Sequence, residues 1–400
     1  MARTSSRLPI ASLLCASIWL VGCSIPTKSS GELEPSDMNE GGEGDGGDDP
    51  VALPPGECVG DCTVAAESLW SRVVPTTTPR FWACDVQIDA SGRVALAWRM
   101  EGTAELPRGR TGIDLMNADG TLAHTTEYDG QTFASLAFAS DGTLRARGVT
   151  IQDGGDTQWV MALDDELAPT WSMTYPEVGG NGQCDWGWTG ALVDATDHVV
   201  TYDYSPQPMG TSFVRRHAPD GTLLWEVEAG GNPGWTGLPI AVGEDQSILY
   251  GEVLTYDAFE ETVVHKFSSN GTELWTETVP DELAGIWAAT DGGAYVHTRS
   301  FYDRDGHTHR LGPDGAFLSV SPPKERFFEI IAPAADGSGF FAVHDGALIR
   351  TDPELDTIWS TDIEQTSTVV FASAVADDEQ TFAFASAETD NYWISVLAKP

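Results

Sequence analysis

The sequence predicts an all-β fold: a single β-propeller of about seven four-stranded blades, with six to eight as the range. A turn followed by an apolar strand recurs seven times, at positions 92, 142, 198, 246, 292, 337 and 379. The spacing of about 42 to 56 residues is typical of propeller blades. A tryptophan-bearing strand recurs with a similar period, and the two ends of the repeat region complement each other. Two stacked β-sandwiches are the alternative, but they explain neither the tryptophan period nor the complementary ends.

The second turn of each unit leads into a fourth strand that often carries tryptophan. Residues 219–227 and 269–277 are the clearest copies, with Asp-Gly and Asn-Gly at the turn. Glycine is favoured there because such tight turns need a positive φ angle. We expect the tryptophans of these fourth strands to pack between blades. They are Trp70, Trp171, Trp225, Trp275 and Trp359.

The two ends of the repeat region are expected to share one blade. Residues 368–400 supply only three strands, at about 368–374, 381–387 and 392–397. The missing fourth strand is 68–74, which resembles residues 224–227. Pairing of 68–74 with the C-terminal blade closes the ring and removes exposed sheet edges.

The N-terminus has the organisation of an export signal. Arg3 and Arg7 precede an apolar run over 8–21 that is too short for a comfortable membrane span. The tetrad at 20–23, Leu-Val-Gly-Cys, resembles the bacterial lipobox. That resemblance implies a lipoprotein signal peptide over 1–22, lipidation of Cys23 and, with serine next, an outer-membrane destination whose periplasmic or surface face stays open. An ordinary secretory signal with a chance cysteine is the alternative.

Residues 23–63 are expected to form an acidic, glycine-rich, disordered tether, followed by the propeller over 64–400. The stretch 41–49 is almost entirely Gly, Asp and Glu and cannot bury enough apolar surface to fold. The whole chain has 61 acidic residues against 21 Lys and Arg, a net charge of −40. This charge argues against nucleic-acid partners and against a basic membrane-surface module.

Residues 220–226, Asp-Gly-Thr-Leu-Leu-Trp-Glu, are similar to the repeat of PQQ-like, quinoprotein-type propellers. The resemblance extends over about 335 residues as a repeat pattern and implies the fold. That family includes quinone-cofactor dehydrogenases as well as lipoproteins that act as scaffolds in outer-membrane assembly. The dehydrogenases place a disulfide between adjacent cysteines against the cofactor. This chain has no adjacent cysteine pair, so we carry over the fold and not the catalysis.

Four cysteines follow the export signal: Cys58, Cys62, Cys84 and Cys184. An even number in an exported chain favours disulfides. Cys84 and Cys184 both precede the first strand of a blade, and Cys58 and Cys62 flank a short turn. We therefore predict the bonds 84–184 and 58–62 among three possible pairings. Metal binding by Cys58 and Cys62 is the alternative.

One loop suggests a hard cation. Asp303 and Asp305 precede Gly306 at the spacing of a calcium-binding loop, although an EF-hand would need further ligands that are not in register. A polar hairpin loop is the alternative. The sequence contains neither a G-x-S-x-G elbow nor an H-E-x-x-H pair. We expect no cofactor, with calcium as a possibility.

Aromatic residues on one face of the ring form the predicted binding surface, in segments that enter first strands and in loops after second strands. They provide stacking area next to hydrogen-bond acceptors, but they could equally plug the ring. These residues are Trp82, Trp186, Trp188, Trp235, Tyr204, Tyr256, Phe259 and Tyr302. The sequence thus favours a monomeric, non-enzymatic platform for an unknown protein or peptide, which meets the membrane only through its lipid. The alternative is a carbohydrate binder, or a hydrolytic or quinone-cofactor enzyme, that uses the central funnel.

Overall fold

A computed structural model describes the chain over most of its repeat region. The chain divides into two units, Met1–Ala52 and Leu53–Pro400, and every described residue belongs to the second. The described residues are 62–63, 68–75, 81–100, 109–128, 130–150, 157–175, 189–205, 211–230, 239–256, 259–300, 305–322, 329–334, 336–344, 346–363, 370–376, 379, 381–388 and 391–398. None of them forms a helix long and apolar enough to cross a lipid bilayer.

The predicted propeller is confirmed: seven four-stranded antiparallel blades form a ring. Two strands near the N-terminus are β1 (Cys62–Thr63) and β2 (Ser68–Pro75). Blade 1 contains β3 (Phe81–Ile88), β4 (Val94–Met100), β5 (Arg110–Met116) and β6 (Leu122–Tyr128). Blade 2 contains β7 (Gln131–Phe138), β8 (Leu144–Thr150), β9 (Thr157–Leu163) and β10 (Pro169–Tyr175). Blade 3 contains β11 (Thr189–Val193), β12 (Val199–Ser205), β13 (Thr211–His217) and β14 (Leu223–Glu228).

The remaining blades repeat this order. Blade 4 contains β15 (Ile240–Val242), β16 (Ile248–Tyr256), β17 (Phe259–Phe267) and β18 (Glu273–Pro280). Blade 5 contains β19 (Glu282–Ala288), β20 (Ala294–Arg299), β21 (Gly306–Leu311) and β22 (Phe317–Val320). Blade 6 contains β23 (Glu329–Pro333), β24 (Phe340–His344), β25 (Ala347–Thr351) and β26 (Thr357–Asp362). Blade 7 contains β27 (Val370–Val375), β28 (Thr381–Glu388) and β29 (Asn391–Ala398), with β2 as its fourth strand.

The chain ends close the ring as the sequence predicts. β2 pairs antiparallel with β29, and Trp70 lies opposite Val396 in this ladder. At the neighbouring blade, β1 adds a short parallel strand to the outer edge of β26, with Cys62 opposite Trp359. The two residues of β1 lie in the segment that the sequence assigns to the tether.

The first strands of the blades lie innermost and contact one another around the ring. Two side chains join consecutive inner strands. The Asp85 carboxylate accepts a hydrogen bond from the Leu136 amide at 2.6 Å, and the Ser135 hydroxyl accepts one from the Ala191 amide at 2.7 Å. Asp85 and Ser135 each follow a bulge in their strand, so they occupy the same place in blades 1 and 2. These bonds satisfy backbone amides that would otherwise be buried without partners.

The hydrophobic core lies between the faces of neighbouring blades. Val86 and Leu96 of blade 1 pack with Ile394 and Val396 of blade 7 in one such layer. All four side chains are at most 1% exposed. Alternation along each strand sends successive side chains to opposite neighbours, so one blade contributes to two layers.

A single register position on the outer strands governs how each blade meets the next. This position directly follows the bulge of the fourth strand and pairs with the third strand, for example Trp225 with Arg216 and Trp275 with Lys266. Around the ring its occupants are Trp70, His124, Trp171, Trp225, Trp275, Ser319 and Trp359. The tryptophan period in the sequence is therefore a repeated contact between blades.

The tryptophan at this position docks on a turn glycine of the following blade. Gly221 has a φ of +87°, and a Cβ added there would lie 2.8 Å from the ring of Trp171. The Trp171 indole also donates a hydrogen bond to the Pro219 carbonyl at 2.9 Å. The pairs Trp70–Gly120, Trp225–Gly271 and Trp275–Gly315 make the same ring-to-glycine contact.

At two junctions between blades, both the tryptophan and the turn glycine are replaced. Where the outer position is His124 or Ser319, the next turn has Leu167 or Leu355 in place of glycine. These leucines have φ angles of 62° and 65° and are each 2% exposed. A left-handed backbone is costly for leucine, so burial of its side chain must offset the strain.

Candidate functional site

The structure brings part of the predicted binding face to one end of the ring. First strands begin and second strands end there, which places Trp82, Tyr204, Tyr256 and Phe259 at that end. Trp82 is half-buried and lies opposite Arg99. The side chains of Tyr204, Tyr256 and Phe259 lie outside the described residues, as do Trp186, Trp188, Trp235 and Tyr302. The binding role of this face stays a prediction.

Cys84 forms a disulfide bond. It is 6% exposed and sits at the bulge of β3, in the core layer between blades 1 and 2. Cys58 and Cys184 lie outside the described residues, and of Cys62 only the backbone is described. The pairings 84–184 and 58–62 therefore stay predictions, as does lipidation of Cys23, which also lies outside the described residues.

The candidate cation loop is only partly described. Asp303 lies outside the described residues, whereas Asp305 precedes β21 and its backbone carbonyl accepts a hydrogen bond from the Ser300 amide at 2.9 Å. In the described part of the chain, no three His, Cys, Asp or Glu side chains lie together as a metal site would require. Nearby His309 contacts the Thr298 hydroxyl at 2.9 Å, and burial lowers its pKa to about 4. This imidazole is neutral at physiological pH.

Asp85 is the inner-strand carboxyl whose chemistry the fold changes most. Burial raises the pKa of Asp85 to about 7, against the opposing effect of its hydrogen bonds. The donors are the Leu136 amide at 2.6 Å and the Gln87 side chain at 3.2 Å. Asp85 therefore exchanges a proton near neutral pH, next to the Cys84 disulfide and on the same strand as Trp82.

A buried charged cluster joins blades 2 and 3. Asp203 forms ion pairs with both Arg147 and Arg215, and all three side chains are at most 8% exposed. Arg147 also donates to the Trp159 carbonyl at 3.1 Å, and the Arg215 guanidinium lies 4.2 Å from the centre of the Tyr175 ring. Removing one partner would leave an uncompensated buried charge, which is strongly destabilising. The cluster therefore links blade 2 to blade 3, and its three charges pair with one another inside the fold.

Large exposed apolar side chains lie on the outer strands. Six of them belong to the outer strands of three consecutive blades, β14, β18 and β22, and their exposed fractions range from 38% to 56%. We call these six the rim patch: Leu223, Leu224, Leu274, Phe317, Leu318 and Val320. Leu69 and Leu122 occupy outer strands elsewhere. Large apolar side chains that are exposed close to one another are typical of interaction surfaces.

Sequence reasoning missed both the charged cluster and the rim patch. The cluster had a signal in the sequence, because Arg147 and Arg215 are charged residues inside strands. The rim patch also had one: Leu224, Leu274 and Leu318 directly precede the register position of the repeat. Their exposure depends on the outer strand bulging at that residue, which pattern reading does not reveal.

Comparison with solved structures supports the fold. The Dos1 propeller is 12% identical, with a TM-score of 0.51, and the match covers 81% of this chain and 95% of that one. A protein of unknown function from Bacteroides caccae is also 12% identical, with a TM-score of 0.40 and coverage of 62% and 89%. No family model and no curated protein matches the chain. At this identity, the likeness to the Dos1 propeller establishes the propeller fold alone.

Proposed function

We propose that this protein is a lipid-anchored, non-enzymatic platform of the cell envelope that binds a protein or peptide partner at its outer rim. The rim patch is the observation that supports it. Six large apolar side chains stay exposed on adjacent blades of a protein whose net charge is −40. Solvent-exposed leucine and phenylalanine gain free energy when a partner covers them, at about 25 cal/mol per Å² of apolar surface.

Membrane attachment rests on the sequence of residues 1–23. The basic start, the short apolar run and the lipobox-like tetrad support cleavage before Cys23 and acylation of that cysteine. Two or three acyl chains anchor firmly because each buried CH₂ contributes about 0.8 kcal/mol. The acidic segment that follows would hold the propeller away from the bilayer, and the serine after Cys23 supports an outer-membrane location. The resemblance to PQQ-like repeats, whose relatives include assembly scaffolds, is consistent with this role.

Cell fractionation of a Cys23→Ala variant tests the anchor. The wild type should pellet with membranes and stay there in high salt, whereas the variant should move to the soluble fraction. A variant that still pellets and resists salt extraction would show that the lipobox interpretation is wrong.

Site-directed photo-crosslinking tests the platform. A photoreactive residue at Leu274 should yield a defined protein adduct in intact cells, and a Leu224→Asp, Leu318→Asp double change should abolish it. Thr170→Asp, on the exposed outer strand of blade 2, is the matched control and should leave the adduct unchanged. Adducts that form only from Trp82 at the end of the ring would instead favour a ligand of the central funnel.

A further inference from the structure

The outer strand of blade 5, β22, is the part of the rim patch that is exposed along its whole length. All four of its side chains are exposed, with Phe317, Leu318 and Val320 at 51%, 56% and 46%. In blade 4, Trp275 at the register position packs on Gly315 of the next blade and is half-buried. Blade 5 has Ser319 at that position. Because successive side chains of a strand point to opposite faces, β22 is open to solvent on both of its faces.

The edge of β22 lacks the features that usually protect an outer strand, which are charged side chains, proline and a covering segment. β14 and β18 each carry two glutamates, β6 carries Glu127 and β2 carries Arg72. β10 begins with proline and its exposed side chains are otherwise Ser and Thr, and β26 is covered by β1. Among the outer strands that the structure describes, only β22 combines exposed apolar side chains with none of these features. Its short length is the one protection it keeps.

Blade 6 shows how an outer edge of this ring accepts an added strand. β1 pairs in parallel with β26, which places Cys62 opposite Trp359 and Thr63 opposite Ser360. In this mode of recognition, main-chain hydrogen bonds provide affinity and alternate side chains provide specificity. β22 and β26 are the fourth strands of adjacent blades and have the same place in their sheets. An extended segment can therefore add to β22 in the same way.

The charges around the start of β22 indicate the chemistry of that segment. The turn before β22 carries Asp314, and the neighbouring turn of blade 6 carries three acidic residues over 352–356. One of these, Glu354, lies close to β22, since it lines a small cavity together with the last two residues of the strand. Arg310 lines the same cavity, but its guanidinium already pairs with Asp291 at 2.5 Å. Charge complementarity therefore favours a basic segment.

A basic partner fits these surroundings better than either occupant that the chain itself could supply. A second copy carries the same net charge of −40, so the two copies would repel each other. The stretch 41–49 of the predicted tether contains four acidic residues and no basic one. Lys324 and Arg326 follow the other end of β22, outside the described residues, so the acidic surroundings belong to the start of the strand.

We propose that β22 is a docking edge for a basic, extended segment of a partner protein, which adds to blade 5 as a further strand. The proposal deepens the platform function and rests on it, because it names how the partner binds the rim patch. The main chain of the segment completes the hydrogen bonds of the edge. Its apolar side chains cover Phe317, Leu318 and Val320, and its basic side chains meet the acids of the two turns.

Binding of short blocked peptides to the purified full-length chain tests the proposal. In fluorescence anisotropy titrations, labelled Lys-Val-Lys-Val-Lys-Val should bind saturably. The same peptide with every backbone amide N-methylated keeps its charge and its side chains but cannot donate main-chain hydrogen bonds. This peptide, and Glu-Val-Glu-Val-Glu-Val, should bind at least about tenfold more weakly.

Leu318→Lys places a cation on the edge and should weaken binding of the lysine peptide at least about tenfold. The side chain is 56% exposed, so the melting temperature should stay unchanged. Thr170→Lys is the matched control, because it adds the same charge to the exposed outer strand of blade 2 and should leave the affinity within about twofold. The methylated peptide needs no variant, so it keeps the test valid if Leu318→Lys does not fold.

Absent binding of the lysine peptide, equal binding of its methylated form, or equal binding to wild type and a folded Leu318→Lys variant would each overturn the proposal. Concentration-dependent dimers that Leu318→Lys dissociates would also overturn it, since a second copy would then be the occupant. The crosslink from Leu274 separates this result from the platform function. A defined crosslink without peptide binding would retain the platform and reject strand addition, whereas peptide binding without the crosslink would count against the platform.

Discussion

At the level of single residues, Asp85 is a polar side chain that joins one blade to the next. Its carboxyl accepts the Leu136 amide of the next inner strand, and burial raises its pKa to about 7. An unfolded chain releases this proton near pH 4. Between about pH 4 and pH 7 the folded protein therefore holds a proton that the unfolded chain has lost, and the free energy of unfolding falls as pH rises through this window.

Asp85→Asn should remove that pH dependence. The amide oxygen can still accept the Leu136 hydrogen bond, and the side chain stays neutral at every pH. We expect the variant to match the wild type near pH 4 and to be more stable above pH 7, by up to about 4 kcal/mol. Urea unfolding at a series of pH values measures this difference.

The control for that series is Asp119→Asn. Hydrogen bonds from the Thr121 side chain and backbone lower the pKa of exposed Asp119, so its variant should not gain stability as pH rises. Parallel curves for Asp85→Asn and wild type from pH 4 to pH 8 would contradict the role assigned to Asp85.

At the level of elements, neighbouring blades are joined where the tryptophan of an outer strand packs on a turn glycine of the next blade. Gly221→Ala should lower the free energy of unfolding by about 2–4 kcal/mol, because the methyl group adds left-handed strain and also meets Trp171 at 2.8 Å. Gly230→Ala isolates the strain. Gly230 has a φ of +59°, but its added Cβ would meet only Glu252 Oε2, at 3.5 Å.

Chemical denaturation of the two variants separates the cost of the backbone strain from the cost of the contact with Trp171. The Gly230→Ala loss should be about 1–2 kcal/mol, the cost of the backbone conformation alone. Equal losses for both variants would mean that the indole contact adds nothing at the turn and that tryptophan docking does not hold the blades together.

Much of this element-level order can be predicted from the sequence. The Asp-Gly turns, the tryptophan position and the split blade give the ring and its closure, since a repeat constrains every copy at once. The leucines Leu167 and Leu355, which replace glycine in two of these turns, are also visible in the sequence. The reason for this replacement is visible only in the structure, where the strand register shows which outer-strand residue faces each turn of the next blade.

Other features do not follow from pattern. The pairing of Asp203 with Arg147 and Arg215 depends on two blades meeting face to face, and local sequence says nothing about that contact. The parallel addition of β1 to β26 involves two residues with no strand signal of their own.

At the level of the whole molecule, charge is the dominant feature. From residue 64 onward the chain has 51 acidic and 18 basic residues, a net charge of 18 − 51 = −33. Several cations are already engaged, for example Lys266 with Asp245 at 3.1 Å and Arg93 with Asp89 at 2.7 Å. The excess carboxylates repel one another across the surface, and this repulsion weakens the compact state.

Added salt should therefore stabilise the protein. Sodium chloride at tenths of molar shortens the Debye length from about 30 Å at 0.01 M to about 8 Å at 0.15 M, so the melting temperature should rise over that range. Calcium and magnesium should each do no more than sodium chloride at equal ionic strength, because screening depends on ionic strength and not on coordination. A larger rise with micromolar to low-millimolar calcium, lost in Asp305→Asn, would instead establish a specific site at the Asp303–Asp305 loop. A melting temperature that falls with salt would mean that ion pairs such as Lys266–Asp245 outweigh the repulsion, since screening weakens attraction and repulsion alike.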